Sequence, residues 1–261
     1  MPEMNPATLT SCLAIATCLI LASPDTVAAP DEIQVYTEEL NDPGEYGVEL
    51  HVNYVPRGEK AAPYPGAMPS HRMLQVTPEF SYGVTKTLEA GLYLPVAVSP
   101  DGNTYSNGAR LRLKYIAPRD GGDPFFWGLN TEVGFFSRRV SESRWAMELR
   151  PIIGYRANGW LVSFNPILDV DLSANVSREP KFEPALKLTR TVREGVQAGI
   201  EYYGDLGPIH HRLAASERGH YLYAVVDVDM KGFDINFGIG RGFVNAGDAW
   251  VAKAIISLPF K

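Results

Sequence analysis

From about residue 44 onward, side chains alternate between apolar and polar or small over stretches of about 9 to 13 residues, the period of two that marks a strand with unlike faces. The first stretch is the clearest. Tyr46, Val48, Leu50, Val52 and Tyr54 share one face, and Gly47, Glu49, His51 and Asn53 share the other. Eleven more stretches repeat the step, with apolar faces through Leu74, Val76, Phe80 and Tyr82; Leu88 to Leu94; Leu111, Leu113 and Tyr115; Trp127 to Phe135; Trp145 to Tyr155; Trp160 to Val170; Phe182, Leu186 and Leu188; Val196 to Tyr202; Leu222 to Val228; Phe233 to Ile239; and Trp250 to Phe260. No amphipathic helix competes. The pattern predicts an all-β fold, a single closed up-and-down antiparallel barrel of twelve strands over residues 44–261.

The connections alternate as well. Tight ones at Thr85-Lys86-Thr87, Ala157-Asn158-Gly159, Val192 to Gly195 and Lys231-Gly232 read as hairpin turns, with Pro118 to Asp123 of middle length. Longer polar loops fall between them at 55–71, 98–108, 137–144, 173–180, 206–219 and 243–249. Short periplasmic turns and long external loops are the plan of a transmembrane barrel with both termini on the periplasmic side.

Alternation alone does not say which face is wet, because a soluble barrel would put the apolar stripe inside. Two features decide for an apolar exterior in lipid. The opposite face carries many glycines, among them Gly47, Gly83, Gly91, Gly128, Gly134, Gly199 and Gly238, which suit a crowded lumen. The turn directions also sort the aromatic residues by height, with Tyr46, Tyr82, Tyr115, Trp127, Tyr155 and Trp160 near the periplasmic rim and Tyr54, Trp145 and Trp250 near the outer rim. Two such girdles mark the two sides of a bilayer. Pro78, Pro151, Pro166 and Pro184 lie within strands, where each removes a ladder donor, so bulges or bends on the lipid-facing side and breaks in strand structure are expected at all four.

The last stretch, Trp250-Val-Ala-Lys-Ala-Ile-Ile-Ser-Leu-Pro-Phe260, alternates and closes on an aromatic residue. In this the chain resembles the bacterial outer-membrane β-barrels. Thr77-Pro-Glu-Phe-Ser-Tyr-Gly-Val-Thr-Lys-Thr-Leu-Glu-Ala-Gly-Leu-Tyr93 is also similar to outer-membrane transporters of the phenol-degradation-pathway type. The resemblance implies recognition by the outer-membrane assembly machinery through Trp250, Ile256, Leu258 and Phe260. Pro259 and Lys261 depart from that pattern.

The amino terminus adds an address. Leu9 to Ala22 is an apolar run of about 14 residues, short of the roughly 20 a spanning helix needs. With Thr26, Ala28 and Ala29 after it, the run reads as a signal peptide over residues 1–28, although no Lys or Arg precedes it. Residues 29–43 are then a periplasmic segment ahead of the barrel. Cys12 and Cys18 lie inside the signal, so the mature chain is expected to hold no disulfide and no thiolate site. Without residues 1–28 the chain has 24 basic and 28 acidic side chains, a net charge of −4, which disfavours nucleic acid as a partner.

The inward face carries the chemistry. Acids Glu49, Glu79, Glu89, Glu132, Glu148, Asp169, Asp171, Glu183, Glu201, Asp205, Asp227, Asp229 and Asp234 stand against Arg110, Arg112, Lys114, Arg150, Arg156, Lys187 and Lys253. Because unpaired desolvated charge is costly, the lumen is expected to be wet, internally paired, or both, and a dry apolar interior is excluded. Its sharpest feature is the basic ladder Arg110, Arg112 and Lys114 on the fourth strand, with Glu89 and Glu132 on the strands beside it. That ladder is either one wall of a charge-selective constriction or part of an interstrand salt-bridge network that fills the barrel. The candidate lumen residues are thus Arg110, Arg112, Lys114, Glu79, Glu89, Glu132, Glu148, Arg150, Asp169, Asp171, Glu201 and Asp227.

No catalytic constellation is visible. His51 has Glu49 two residues away but no identifiable serine. His210, His211 and His220 with Asp205 form a weak candidate metal group, read as solvated loop residues, and Gly238-Ile-Gly-Arg-Gly242 lacks the following helix a nucleotide loop requires. No cofactor or metal is expected. The composition therefore points to an outer-membrane channel or transporter for small polar or charged solutes, with lipid and the assembly machinery as partners. The alternative is a non-conducting barrel acting as an enzyme, adhesin or structural element.

Overall fold

The structure, a computed structural model, describes residues 31–174 and 176–260. The expected signal peptide with Cys12 and Cys18, and Lys261, lie outside the described residues. Strand follows strand as β1 (Tyr46–Arg57), β2 (Leu74–Thr85), β3 (Leu88–Tyr93), β4 (Val96–Val98), β5 (Thr104–Ser106) and β6 (Gly108–Ile116). Next come β7 (Phe125–Phe136), β8 (Trp145–Ala157), β9 (Trp160–Asn165), β10 (Leu168–Asp171) and β11 (Lys181–Phe182). The chain finishes with β12 (Ala185–Arg193), β13 (Val196–Asp205), β14 (Gly219–Met230), β15 (Phe233–Val244) and β16 (Trp250–Phe260). Twelve of these close an antiparallel ring, in which β1 pairs both β2 and β16. The other four, β4, β5, β10 and β11, continue the wall toward the long loops.

Short turns gather at one end and long loops at the other, as the sequence predicts. At the turn Asn158-Gly159 both residues have positive φ, 53° and 75°, the conformation whose twist matches a two-residue hairpin. The exterior is apolar. Phe80, Leu111, Leu113, Ile200, Phe237 and Ile239 are all exposed on it, between Tyr46, Trp127, Tyr155 and Trp160 toward the turns and Tyr54, Trp145 and Trp250 toward the loops. Charge is on the inside, with Glu79, Glu132, Glu201, Arg112, Lys114 and Lys253 buried. This is the inverse of a soluble barrel.

The prolines behave differently from expectation in an instructive way. The wall breaks at Pro166, between β9 and β10, and at Pro184, between β11 and β12, but β2 and β8 run unbroken through Pro78 and Pro151. Register explains the difference. Pairing of Leu149 with Leu168 and Ile153 with Phe164 carries Pro151 opposite Pro166, and pairing of Ala185 with Asn165 and Phe182 with Leu168 carries Pro184 opposite Pro166. Three residues without a donor thus lie in one row across adjacent strands, so the missing bonds fall together and leave fewer carbonyls stranded. Pro78 instead accepts from the Leu94 N–H at 3.0 Å, where β3 has stopped before Pro95. Pro95, which the periodicity passed over, makes the third break.

The interior is not polar throughout, which refines the expectation of a charged lumen. Two apolar layers sandwich the charges. Val55, Met73, Ala97, Tyr223, Val225 and Val251 cluster toward the loops, and Ile116, Phe126, Ile152 and Leu161 toward the turns. Val55, Val251, Ile116, Phe126 and Leu161 lie near strand ends, where the inward position changes character within one strand. Glycines make room for the rings: a Cβ on Gly154 would sit 2.0 Å from Phe126 Cζ, and one on Gly240 would sit 2.3 Å from Tyr223. Gly154→Ala should therefore overpack the lower layer by about 1–3 kcal/mol, read as a lower thermal midpoint of the folded barrel. An unchanged midpoint would show that Phe126 can move aside.

Candidate functional site

Each ring strand contributes alternate side chains to the lumen, and the structure places the predicted candidates there. Arg110, Arg112 and Lys114 project from β6, with Glu89 paired in register to Lys114 and Glu132 to Arg112. Arg112 ion-pairs with Glu79 at 2.5 Å and with Glu89 at 2.7 Å. Arg150 makes a bidentate contact with Glu148 at 2.6 and 3.0 Å. On the far wall Lys187 meets Asp227 at 2.9 Å and Glu201 at 3.3 Å, and Lys253 also pairs with Glu201. Asp169 and Asp171 form a separate group on β10, where Asp171 pairs with Lys181 at 3.0 Å. These contacts form an interstrand salt-bridge network, one of the two readings the sequence leaves open for the ladder.

Its principal partner comes from outside the strand pattern. The segment 29–43 is expected as a periplasmic leader, but the described residues from Asp31 run through the barrel in extended form, and Ile33, Val35 and Tyr36 are buried at 3–4% exposure. No strand pairs with this segment, so wall side chains meet its backbone. Lys253 donates to the Ile33 carbonyl at 3.0 Å, Arg150 to that of Gln34 at 3.1 Å, and Lys114 to that of Glu39 at 2.8 Å. Ser163 Oγ donates to the Tyr36 carbonyl at 2.6 Å, while Asn165 Oδ1 accepts from the Tyr36 N–H at 2.7 Å.

Side chains of the segment then complete the wall's charges. Glu32 lies 3.1 Å from Arg110 and 3.6 Å from Arg150, and Asp31 lies 3.4 Å from Arg110. Tyr36 stands at the centre. Its hydroxyl contacts Tyr93 at 2.5 Å and Glu132 at 3.1 Å, and the cations of Arg150, Lys114 and Arg112 surround its ring at 4.4, 4.9 and 5.7 Å. Nearer the turns, Glu38 pairs with Arg156 at 2.6 Å and Arg119 at 3.2 Å. Burial pushes the Glu38 carboxyl up, and the hydrogen bond and charge of Arg156, with Arg119, bring it below the usual carboxylate range. The basic ladder thus faces a tethered strand of the same chain rather than an open pore. Sequence reasoning missed Asp31, Glu32, Tyr36 and Glu38 because the segment has no periodicity.

Beside the segment, a cavity of about 490 Å³ remains near the turn end, lined by eight acids, Glu49, Asp227, Asp229 and Asp234 among them, and by Arg112, Lys114, Arg156 and Lys187. His51 sits above it, buried, with Nε2 3.2 Å from Glu79 and 3.7 Å from Glu49. Of the predicted histidine group, His211 pairs with Glu179 at 2.6 Å in exposed loops, while His220 bonds Tyr202 at 2.8 Å on the outer face. They do not converge. At the loop end, Ser70 and Met73 of the loop 58–73 are buried. Ser70 Oγ donates to Asp248 Oδ1, while Asp248 Oδ2 is buried without a hydrogen-bond partner.

The fold and lumen define a closed twelve-stranded antiparallel barrel, turned apolar side out around buried charge, the architecture also found in bacterial outer-membrane barrels. No family model and no curated protein matches the chain by sequence. Among solved structures, an outer membrane channel from Pseudomonas putida F1 aligns with TM-score 0.60 at 13% identity, over 88% of this chain and 100% of that one. The NanC porin aligns at TM-score 0.54 and 11% identity, over 82% and 99% of the two chains. The KdgM porin, solved with a disordered oligogalacturonate, aligns at 0.51 and 7% over the same shares. These likenesses are of fold.

Two outcomes follow. Replacing Arg150 by Met strips Glu148, Glu32 and the Gln34 carbonyl of a buried partner and should destabilise the docked segment by about 3–5 kcal/mol, read as faster proteolysis of residues 31–41 in the folded barrel; unchanged proteolysis would contradict the tether. At the other end, burial raises the Asp248 carboxyl to about 6, with Glu59 adding to the rise and the Ser70 hydrogen bond opposing it. A raised value in the folded state means that burying this carboxyl costs least when it is protonated, so the packing around it loosens as pH climbs through 6. Amides of residues 58–73, corrected for intrinsic rate, should therefore exchange faster at about pH 7.5 than at about pH 5, and Asp248→Asn should abolish the difference. Equal protection in the parent chain would refute it.

Proposed function

We propose that this protein is an outer-membrane channel for small polar or charged solutes, held closed by its own residues 31–41. The membrane placement is supported by the exposed apolar belt between two aromatic rims, which in water would be an aggregation surface. One observation carries the channel reading: the barrier across the lumen is an extended segment without strand pairing, held by side chains and removable without breaking the ring. A structural barrel needs no such separate filling.

The lumen's chemistry sets what could pass. Its cavity wall combines eight carboxylates with two lysines and two arginines, so a displaced segment exposes a hydrated charged path. Displacement also frees Arg110, Arg150 and Lys114, which would then act on the permeant ion. The solute is in this reading small and hydrophilic.

Planar-bilayer recording tests both parts. The full chain should show low, intermittent conductance, and deletion of residues 31–41 should raise it severalfold; a variant that conducts no better than the parent would overturn the reading. In the deletion background, neutralising Arg110, Arg112 and Lys114 should move the reversal potential toward cation preference, and an unmoved potential would remove the ladder from the permeation path.

A further inference from the structure

The outer face is apolar along almost its whole height, but at the loop end it carries two arginines that the barrel itself does not use. Arg57 of β1 and Arg241 of β15 both pair in register with Trp250 of β16, so the three form one row across adjacent strands. Trp250 faces outward at 39% exposure, and register partners share its face. Their Cα positions therefore stand two interstrand spacings apart, on the order of 10 Å, Arg57 lying just past a register irregularity in β1 after Tyr54. Arg241 lies over the rings of Phe243 and Trp250, at 5.6 and 5.7 Å. Those contacts hold its cation against the aromatic rim.

Among the described residues neither arginine has an ion-pair partner, whereas the inward arginines of β6 and β8 are all paired. Among the described residues, the neighbouring strands carry no outward carboxylate. The outward positions of β1, β13, β14, β15 and β16 are apolar, aromatic or basic, and His220, stacked on Tyr202, adds an imidazole next to Phe243 in register. Glu59, two residues beyond Arg57, is exposed in the loop and acts on Asp248. The opposite rim offers a contrast: there Arg190 rests alone over Trp160 at 5.1 Å, the single snorkelling arginine expected of any membrane edge.

We infer that Arg57, Trp250 and Arg241 form a docking site for a phosphorylated glycolipid of the outer leaflet. Paired guanidinium forks match phosphate oxygens bidentately, and the indole between them suits the sugar and upper acyl region at the headgroup level. The inference rests on the outer-membrane placement proposed above, because only there do the long loops and this row face that leaflet. It adds a lipid ligand that the channel reading does not require.

Native mass spectrometry of the full chain, released from detergent with equal amounts of lipid A, fully dephosphorylated lipid A and phosphatidylglycerol, tests it. The parent chain should retain lipid A at least about tenfold over the other two, the effect of losing one charged contact or more. R57Q/R241Q should bring that preference down about tenfold, while R190Q keeps it; all variants should stay folded by heat modifiability, since the three side chains are exposed. Equal retention of the three lipids, a preference surviving in R57Q/R241Q, or an equal loss in R190Q would overturn the site. Insertion of the parent chain into liposomes separates the two claims: a chain that inserts but shows no preference refutes only the lipid site, and one that fails to insert refutes both.

Discussion

A charge taken out of bulk water needs an opposite charge or a set of oriented dipoles, and in this barrel that need is met by a strand of chain crossing the lumen. The wall alone does not balance locally. Arg110 and Arg150 on adjacent regions of the inner surface converge on Glu32, and Arg156 with Arg119 on Glu38. Removing Glu32 leaves the buried Arg110 and Arg150 with fewer carboxylates between them, and a buried charge short of partners costs more than the pair itself contributes. The segment and the inner wall are for that reason one electrostatic unit.

The apolar layers gain their meaning from the same unit. Ile33 packs with Val55, Tyr223 and Val251 toward the loops, and Tyr36 with Phe126 and Ile152 toward the turns, so the threaded segment joins layers that no wall residue spans alone. The charges between are shielded from both ends, which strengthens their attraction. The wall tolerates its own defects by a related economy. Pro151, Pro166 and Pro184 place missing donors in one row, confining lost hydrogen bonds to one patch while the rest of the ring keeps its ladder.

Strand number, facing and turn placement were legible because period-two alternation, Asn158-Gly159 and the aromatic rims are all local signals. The residues of the charged lumen were legible for the same reason: Arg110, Arg112 and Lys114 alternate with Leu111 and Leu113. Their partners were not. Glu32 is 78 residues from Arg110 in sequence, and Tyr36 is 129 from Asn165, and no periodicity marks a segment whose backbone bonds to side chains. Proline's effect was half legible, since residue type gives the missing donor but only register shows what lies opposite it. The apolar layers were hidden by averaging along each strand, which blurs inward positions that turn from charged to apolar near the ends.

Thiol accessibility of a cysteine at position 35 tests the threaded lumen most directly, because Val35 is buried against Ile167 and Ala185 inside the ring. With Cys12 and Cys18 replaced by serine, Val35→Cys should react with a bulky membrane-impermeant maleimide far more slowly than Asp42→Cys in the folded barrel, and at the same rate once unfolded. Equal rapid labelling of both positions in the folded barrel would place the segment outside the lumen and contradict the closed channel.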